Sequence, residues 1–323
     1  MKIRLLSLCL LVGISVCACS RTKDSSIHEE EKTINSKTAE GKTSIPDGAI
    51  LIDENHFPDE YFRECVEEDF DTNKDWILTR EELDDIQELY IYGKDYPEVR
   101  SIKGIEYFGN LTVLNCMGLN ISELDISNNK KLERLECQET NIDTLDTSKN
   151  SELENLWCYS TNISRIDTSS NKKLKWLSCH STKIETLDVT NNPDLEQLHC
   201  GDTLIKELDV SELKKLRSLE CSNTNITSID LSNNQMLEDL NIANTMIVSL
   251  DTANNPELGV LGLDNCKYIR NIEIGNNPKL EELFIEGTGI KSIDLSECTD
   301  MINLACDEDT EVIGVEERII HRQ

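Results

Sequence analysis

The sequence predicts an α/β-type solenoid, with a parallel β-sheet along its concave face and a small helical cap at its N-terminal end. Three observations carry this. From Leu111 onward an apolar pattern returns every 21 residues, in segments that start at Leu111, Leu132, Leu153, Leu174, Leu195, Leu216, Leu237 and Leu258 and, after one inserted residue, at Leu280 and Met301. Each unit reads approximately L-x-x-L-x-C-x-x-T-x-I-x-x-L-D-x-S-x-N-x-x, and L-x-x-L-x-C sets alternate side chains on one face of a short strand. One such unit has no core of its own, whereas stacked units share a continuous one.

The chain begins with an address. Lys2 and Arg4 make a basic start, and Leu5 to Val16 is an apolar run too short to span a bilayer and suited to an export signal. The run ends Val16-Cys17-Ala18-Cys19, which resembles a bacterial lipobox, with an aliphatic residue three before the cysteine and a small one just before it. That resemblance implies a signal of residues 1–18, cleavage before Cys19, and lipidation of Cys19 with acyl chains such as palmitate. Cys17 is the poorer candidate because bulky Val16 precedes it. An ordinary cleaved signal is the alternative. Residues 19–48 are rich in Ser, Thr, Lys and Glu and nearly devoid of apolar side chains, which predicts a disordered tether. No later segment is long and apolar enough to cross a membrane. Attachment is therefore expected through the lipid alone, on the extracellular side of a bacterial membrane.

Residues 49–90 contain one sharp chemical motif. Asp71, Asn73, Asp75, Ile77, Thr79 and Glu82 fall at positions one, three, five, seven, nine and twelve of a loop whose eighth residue is apolar. Hard cations take six to eight oxygen ligands, and this spacing supplies side-chain oxygens, the Ile77 carbonyl and a closing Glu82 carboxylate. Residues 58–70 read as the entering helix and 79–89 as the exiting one. The segment resembles an EF-hand, and the resemblance implies one Ca2+. Trp76 departs from it, standing at the sixth position, where the family has a glycine with φ > 0. A Trp there costs on the order of 1–3 kcal/mol of backbone strain. A helix-loop-helix that only caps the solenoid's open end is the alternative.

Residues 91–306 hold the repeats. The sixth position is Cys116, Cys137, Cys158, Cys179, Cys200 and Cys221, then Ile242, Leu263 and Ile285, then Cys306. Exchange with Ile and Leu predicts buried free thiols filling a small apolar slot. Stacked equivalent side chains run parallel about a strand spacing apart, too far for disulfides and without the convergence a metal needs. Cys65, Cys266 and Cys298 lie off this column. The repeat resembles bacterial leucine-rich repeats, most of all the 21-residue cysteine-ladder type of internalin-like surface proteins, across about residues 86–306. One departure is Thr rather than Asn at the ninth position, as at Thr140, Thr161 and Thr182, where a hydroxyl can bond the turn backbone. The column Asp125, Asp146, Asp167, Asp188, Asp209, Asp230, Asp251 and Asp294, with Glu273 in the inserted unit, opens a turn that most units write D-x-S. It reads as backbone capping before it reads as a cation ladder. Residues 307–323 leave the pattern and are expected to close the last coil with a strand or two.

Composition narrows the function. With 32 basic and 62 acidic residues the formal charge is −30, and removing residues 1–18 makes the chain more acidic still. Nucleic-acid binding, which needs a basic surface, is excluded on that ground, as is docking of the whole protein on anionic lipid. No nucleophile–base pair or phosphate-cradling loop appears outside the repeat pattern, so the chain is not expected to be an enzyme. In the repeat family the strand face is the usual binding surface. There the outward third, fifth and seventh positions are mostly polar, except in three consecutive units that offer Trp157, Tyr159, Trp176, His180 and His199. Two of the three tryptophans and two of the five histidines thus gather in one patch. Solvated strands have little folding reason to carry these together, whereas Trp and Tyr dominate interfaces. Cross-strand packing, worth ~0.2–1 kcal/mol per pair, is the alternative. A monomer that binds a protein or peptide is the first expectation, a glycan-capturing accessory of a hydrolase the second, and a passive spacer the third.

Overall fold

The computed structural model describes residues 45–274, 277–316 and 319–322. Cys19, the signal and the tether up to residue 44 lie outside the described residues. Twelve strands form one parallel sheet, from Glu88–Tyr90 at the N-terminal edge to Ile320–Arg322 at the other. The 21-residue period becomes register: Leu114 faces Leu135, Leu135 faces Leu156, and Leu156 faces Leu177. The middle residue of each of these strands points inward and is buried, as are the sixth-position cysteines and the Ile of the return arm. One apolar core runs unbroken from the N-terminal cap to Cys306. This is a leucine-rich-repeat solenoid.

All ten cysteines among the described residues are buried. Burial pushes the Cys116 and Cys158 thiols up to about 12, so they stay protonated and behave as small apolar side chains. The off-column cysteines now have places. Cys266 takes the ninth position of its unit, where the neighbouring units carry Thr245 and Thr288, and its thiol donates to the Ile242 carbonyl at 3.1 Å. Cys298 takes the nineteenth, where other units carry Asn. Cys65 lies on helix α1 (Glu60–Phe70), where its thiol donates to the Tyr61 carbonyl. The ninth-position hydroxyls bond the turn as expected: Thr140, Thr161 and Thr182 each donate to the carbonyl of the preceding cysteine at 2.7 Å.

A second ladder, buried and polar, holds the coils in register. The Asn four residues after the column Asp, or after Glu273 in the inserted unit, is fully buried at Asn129, Asn150, Asn171, Asn192, Asn234, Asn255 and Asn277. Each donates through Nδ2 to two backbone carbonyls of the preceding coil. Asn171 does so to Thr147 at 3.1 Å and to Asn150 at 2.8 Å. These carbonyls face the interior, where an unmet acceptor costs about 1–3 kcal/mol. The amide oxygen is met only in part. Thr147, Thr168 and Thr252 donate to Asn171, Asn192 and Asn277. Where the corresponding residue is apolar (Ile105, Ile126, Val210 or Leu231), the Oδ1 of Asn129, Asn150, Asn234 or Asn255 has no partner. Leu213 interrupts the ladder in one coil and Cys298 in another.

The turns are shaped by local bonds. The eighth residue of most units, from Glu139 to Asn265, adopts a left-handed φ between 51° and 60°, and Gly118 and Gly287 take the same place. The Asp column caps its own turns: Asp125, Asp146 and Asp167 each accept the amide two residues on, at 2.8–3.0 Å. These bonds hold the Asp125 and Asp188 carboxyls below the ordinary range, the Ser127 amide acting first on one and the Thr190 hydroxyl on the other.

Helix α1 and helix α2 (Arg80–Asp85) cover the open N-terminal end, with Phe57, Phe62 and Phe108 fully buried in a ring cluster. The exiting helix expected over 79–89 stops at Asp85, because Leu89 is required opposite Leu114 as the first buried rung of the sheet. At the other end Glu311–Ile313 pairs with Ser292–Asp294, and Ile320–Arg322 pairs with the last repeat strand, both parallel. The closing segment therefore continues the solenoid. Among the described residues no helix is long and apolar enough to cross a membrane.

The half-met asparagines give a test. Val210→Thr offers a hydroxyl to the unpartnered Asn234 oxygen, whereas Val189→Thr faces Leu213 and gains no such acceptor. Urea unfolding should find the first variant more stable than the second by about 1–2 kcal/mol. Equal stabilities would refute this account of the ladder.

Candidate partner-binding face

On the concave sheet the third, fifth and seventh positions of each unit point away from the core, and in-register pairing turns each position into a column. The fifth column pairs Glu136 with Trp157, Trp157 with Ser178, Ser178 with His199 and His199 with Glu220. The third column pairs Arg134 with Asn155, Asn155 with Trp176 and Trp176 with Gln197.

The structure brings the five predicted residues together as two packed groups. Trp157 and Trp176 meet edge to face with centroids 5.0 Å apart, and Trp176 meets His199 the same way at 6.0 Å. Tyr159 and His180 stack at 4.4 Å with their planes 12° apart. All five are half-buried. Burial pushes the imidazoles of His180 and His199 below the ordinary histidine range, although Glu220 opposes it, so both are neutral at pH 7. They add ring area without charge.

Sequence reasoning missed the polar frame around this patch. On the N-terminal side the Arg134 guanidinium lies 5.1 Å over the Trp157 ring and pairs with Glu136, which also accepts from Asn115 Nδ2 at 2.6 Å. Glu136 and Asn115 are nearly excluded from water, so this charge is met inside the sheet. On the C-terminal side Glu220 accepts from the amide and hydroxyl of Ser222 and, at 3.3 Å, from the Gly201 amide. A Cβ on Gly201 would lie 2.5 Å from a Glu220 oxygen, so glycine is what lets the carboxylate rest there. Beyond it the surface turns acidic. Burial, then repulsion from Glu238 and Glu282, raises the Asp239 carboxyl. Burial and Asp307 raise Asp264 despite the Glu286 amide. Individually polar residues gave no sequence signal; their common column positions were the only clue.

The candidate cation loop lies apart, in the N-terminal cap. Trp76 keeps the left-handed φ of 65° that the sixth position demands. The next two residues, Ile77–Leu78 (β2), pair antiparallel with Ile50–Leu51 (β1). Asp71 is buried and accepts the amides of Asp75 at 3.2 Å and Trp76 at 2.7 Å, and Asp75 accepts that of Ile77. Glu82 is turned onto Thr72 and Thr79, taking an amide and a hydroxyl from each. Burial raises its carboxyl, but those bonds outweigh it and hold it below the ordinary range. Among the described residues no three His, Cys, Asp or Glu side chains converge as a preformed metal site.

No protein-family model and no curated protein sequence matches the chain. Solved structures share its fold. The functional domain of InlJ from Listeria monocytogenes, which includes a cysteine ladder, matches 85% of this chain and 77% of its own at 23% identity, with a TM-score of 0.52. The internalin InlF from the same organism matches 86% and 98% at 20% identity and 0.54. A leucine-rich-repeat protein of Leptospira interrogans matches 72% and 74% at 18% identity and 0.56.

Proposed function

We propose that the protein is a lipid-anchored bacterial surface protein without enzymatic activity, which binds a protein or peptide partner through the concave face of its solenoid. The observation that carries this reading is the half-buried aromatic patch. Five rings from three adjacent coils meet on a sheet face that needs none of them for its core. The rings are pre-packed, so binding immobilises few new side-chain torsions. The glycan reading draws less support. A sugar ring stacks on an open aromatic face, and one face of Trp157 carries Arg134 while Tyr159 and His180 cover each other.

We also propose that residues 71–82 bind a single Ca2+, held by Asp71, Asn73, Asp75, the Ile77 carbonyl, Thr79 and Glu82. The left-handed Trp76 and the flanking helices support it. Binding requires Glu82 to release Thr72 and Thr79, which sets the affinity in the weak range of extracellular modules, on the order of 10⁻⁴–10⁻³ M.

Three outcomes are expected. The double substitution Trp157→Ala, Trp176→Ala abolishes capture of the partner from the organism's surroundings; undiminished capture would leave only the spacer reading. Metabolic labelling with a palmitate analogue is lost in Cys19→Ala, and equal labelling of that variant would overturn the anchor. Calorimetry with calcium chloride finds one site that Asp71→Ala removes; unchanged heats in the variant would move the ion out of this loop.

A further inference from the structure

The fifth column reads Asn115, Glu136, Trp157, Ser178, His199, Glu220, Asn241. The rings are bracketed by the same pair of residue types on either side, in mirrored order. The two brackets are not equally complete. Glu136 has its cation: Arg134, two residues before it in the same strand, pairs with the carboxylate and lies over the neighbouring Trp157 ring. Two residues before Glu220 stands Ser218, too short to reach and without charge. Among the described residues no Lys or Arg side chain lies within ion-pair distance of Glu220. Its donors are the amides of Gly201 and Ser222 and the Ser222 hydroxyl, which orient the carboxylate without neutralising it. Asn241 accepts its own turn's Ala243 amide, as Asn115 accepts that of Met117, but it does not repeat the bond that Asn115 Nδ2 donates to Glu136.

The protein therefore contains a worked template, guanidinium against carboxylate beside a ring, and a second copy lacking the guanidinium. The neighbouring ring at the second copy is His199, neutral at pH 7, so no internal positive charge competes there. Asp239 sits directly across from Ser218 on the next strand and adds a second carboxylate to the same opening. Resting on the reading of the concave face as a partner-binding surface, we propose that Glu220 seats an arginine of the partner, between His199 and Asp239. The partner segment is thus a basic polypeptide that lays its apolar side on Trp157 and Trp176. A planar guanidinium suits this seat because it can bond a fixed carboxylate in a fork and lie against a ring at once. The excess of 62 acidic over 32 basic residues favours the approach of such a segment at long range.

Calorimetric titration of the protein with an octa-arginine peptide, at about 0.15 M salt to screen diffuse attraction, tests this. A one-to-one complex is expected. Glu220→Gln, which keeps shape and removes charge, should weaken it at least about tenfold. Ser218→Arg, which supplies the missing guanidinium internally, should abolish it. Glu185→Gln, an equal charge change away from the sheet, should leave it unchanged. Absence of binding, or equal weakening by Glu220→Gln and Glu185→Gln, overturns the seat. Failure of the broader reading has a different signature. If the tryptophan variants lose the natural partner while Glu220→Gln retains it fully, the concave face stands and the arginine seat falls. If the tryptophan variants retain it, the broader reading itself falls.

Discussion

The structure depends on one constraint: every coil must bury backbone carbonyls that point into the solenoid, with no water to meet them. A stack of coils has an apolar spine from Leu, Ile and Cys, but such a spine alone would tolerate sliding. The buried asparagines do not. Each reaches two carbonyls of the coil before it, so a slip of one residue would strand an amide and two acceptors together in the interior. Hydrophobic burial supplies most of the stabilisation, and the polar ladder fixes the register.

Register in turn makes the surface. Because equivalent positions stack a strand spacing apart, whatever the third, fifth and seventh residues are becomes a column on the concave sheet. Three coils with rings in those positions give a patch, and the coils on either side give it a frame. The same geometry explains how so many carboxylates sit close together. The Asp column spends its oxygens on turn amides, which stabilise the charged form at an exposed site. The carboxylates at the C-terminal part of the concave face have no such compensation in full, and their raised proton affinity records it.

The frame also separates two kinds of charge. At Arg134 and Glu136 the ion pair is internal, partly shielded and completed by Asn115, so it serves the sheet. At Glu220 the carboxylate is oriented by the Gly201 and Ser222 amides and the Ser222 hydroxyl in the space that glycine leaves, and among the described residues no Lys or Arg pairs with it. Preorganised but unneutralised groups of this kind favour binding, since the partner meets a fixed acceptor rather than a mobile one.

Much of this was legible in the residues. A period of 21 with Leu, Cys and Ile at fixed offsets determines the coil, the parallel sheet and the buried thiols, because no other arrangement gives each apolar position a partner. Counting within the unit also explains Cys266 and Cys298, which occupy the Thr and Asn places rather than forming a separate set. The five rings were legible as a patch, since column membership follows from offset alone. What the offset could not decide was decided in three dimensions. The asparagine ladder was visible as a letter but not as a role, because its partners are backbone carbonyls that carry no letter. The edge-to-face and stacked ring pairs, and the unequal brackets at Glu136 and Glu220, depend on side-chain torsions and on which neighbour reaches which oxygen. A one-dimensional pattern specifies which residues are adjacent, and only packing specifies which of their atoms meet.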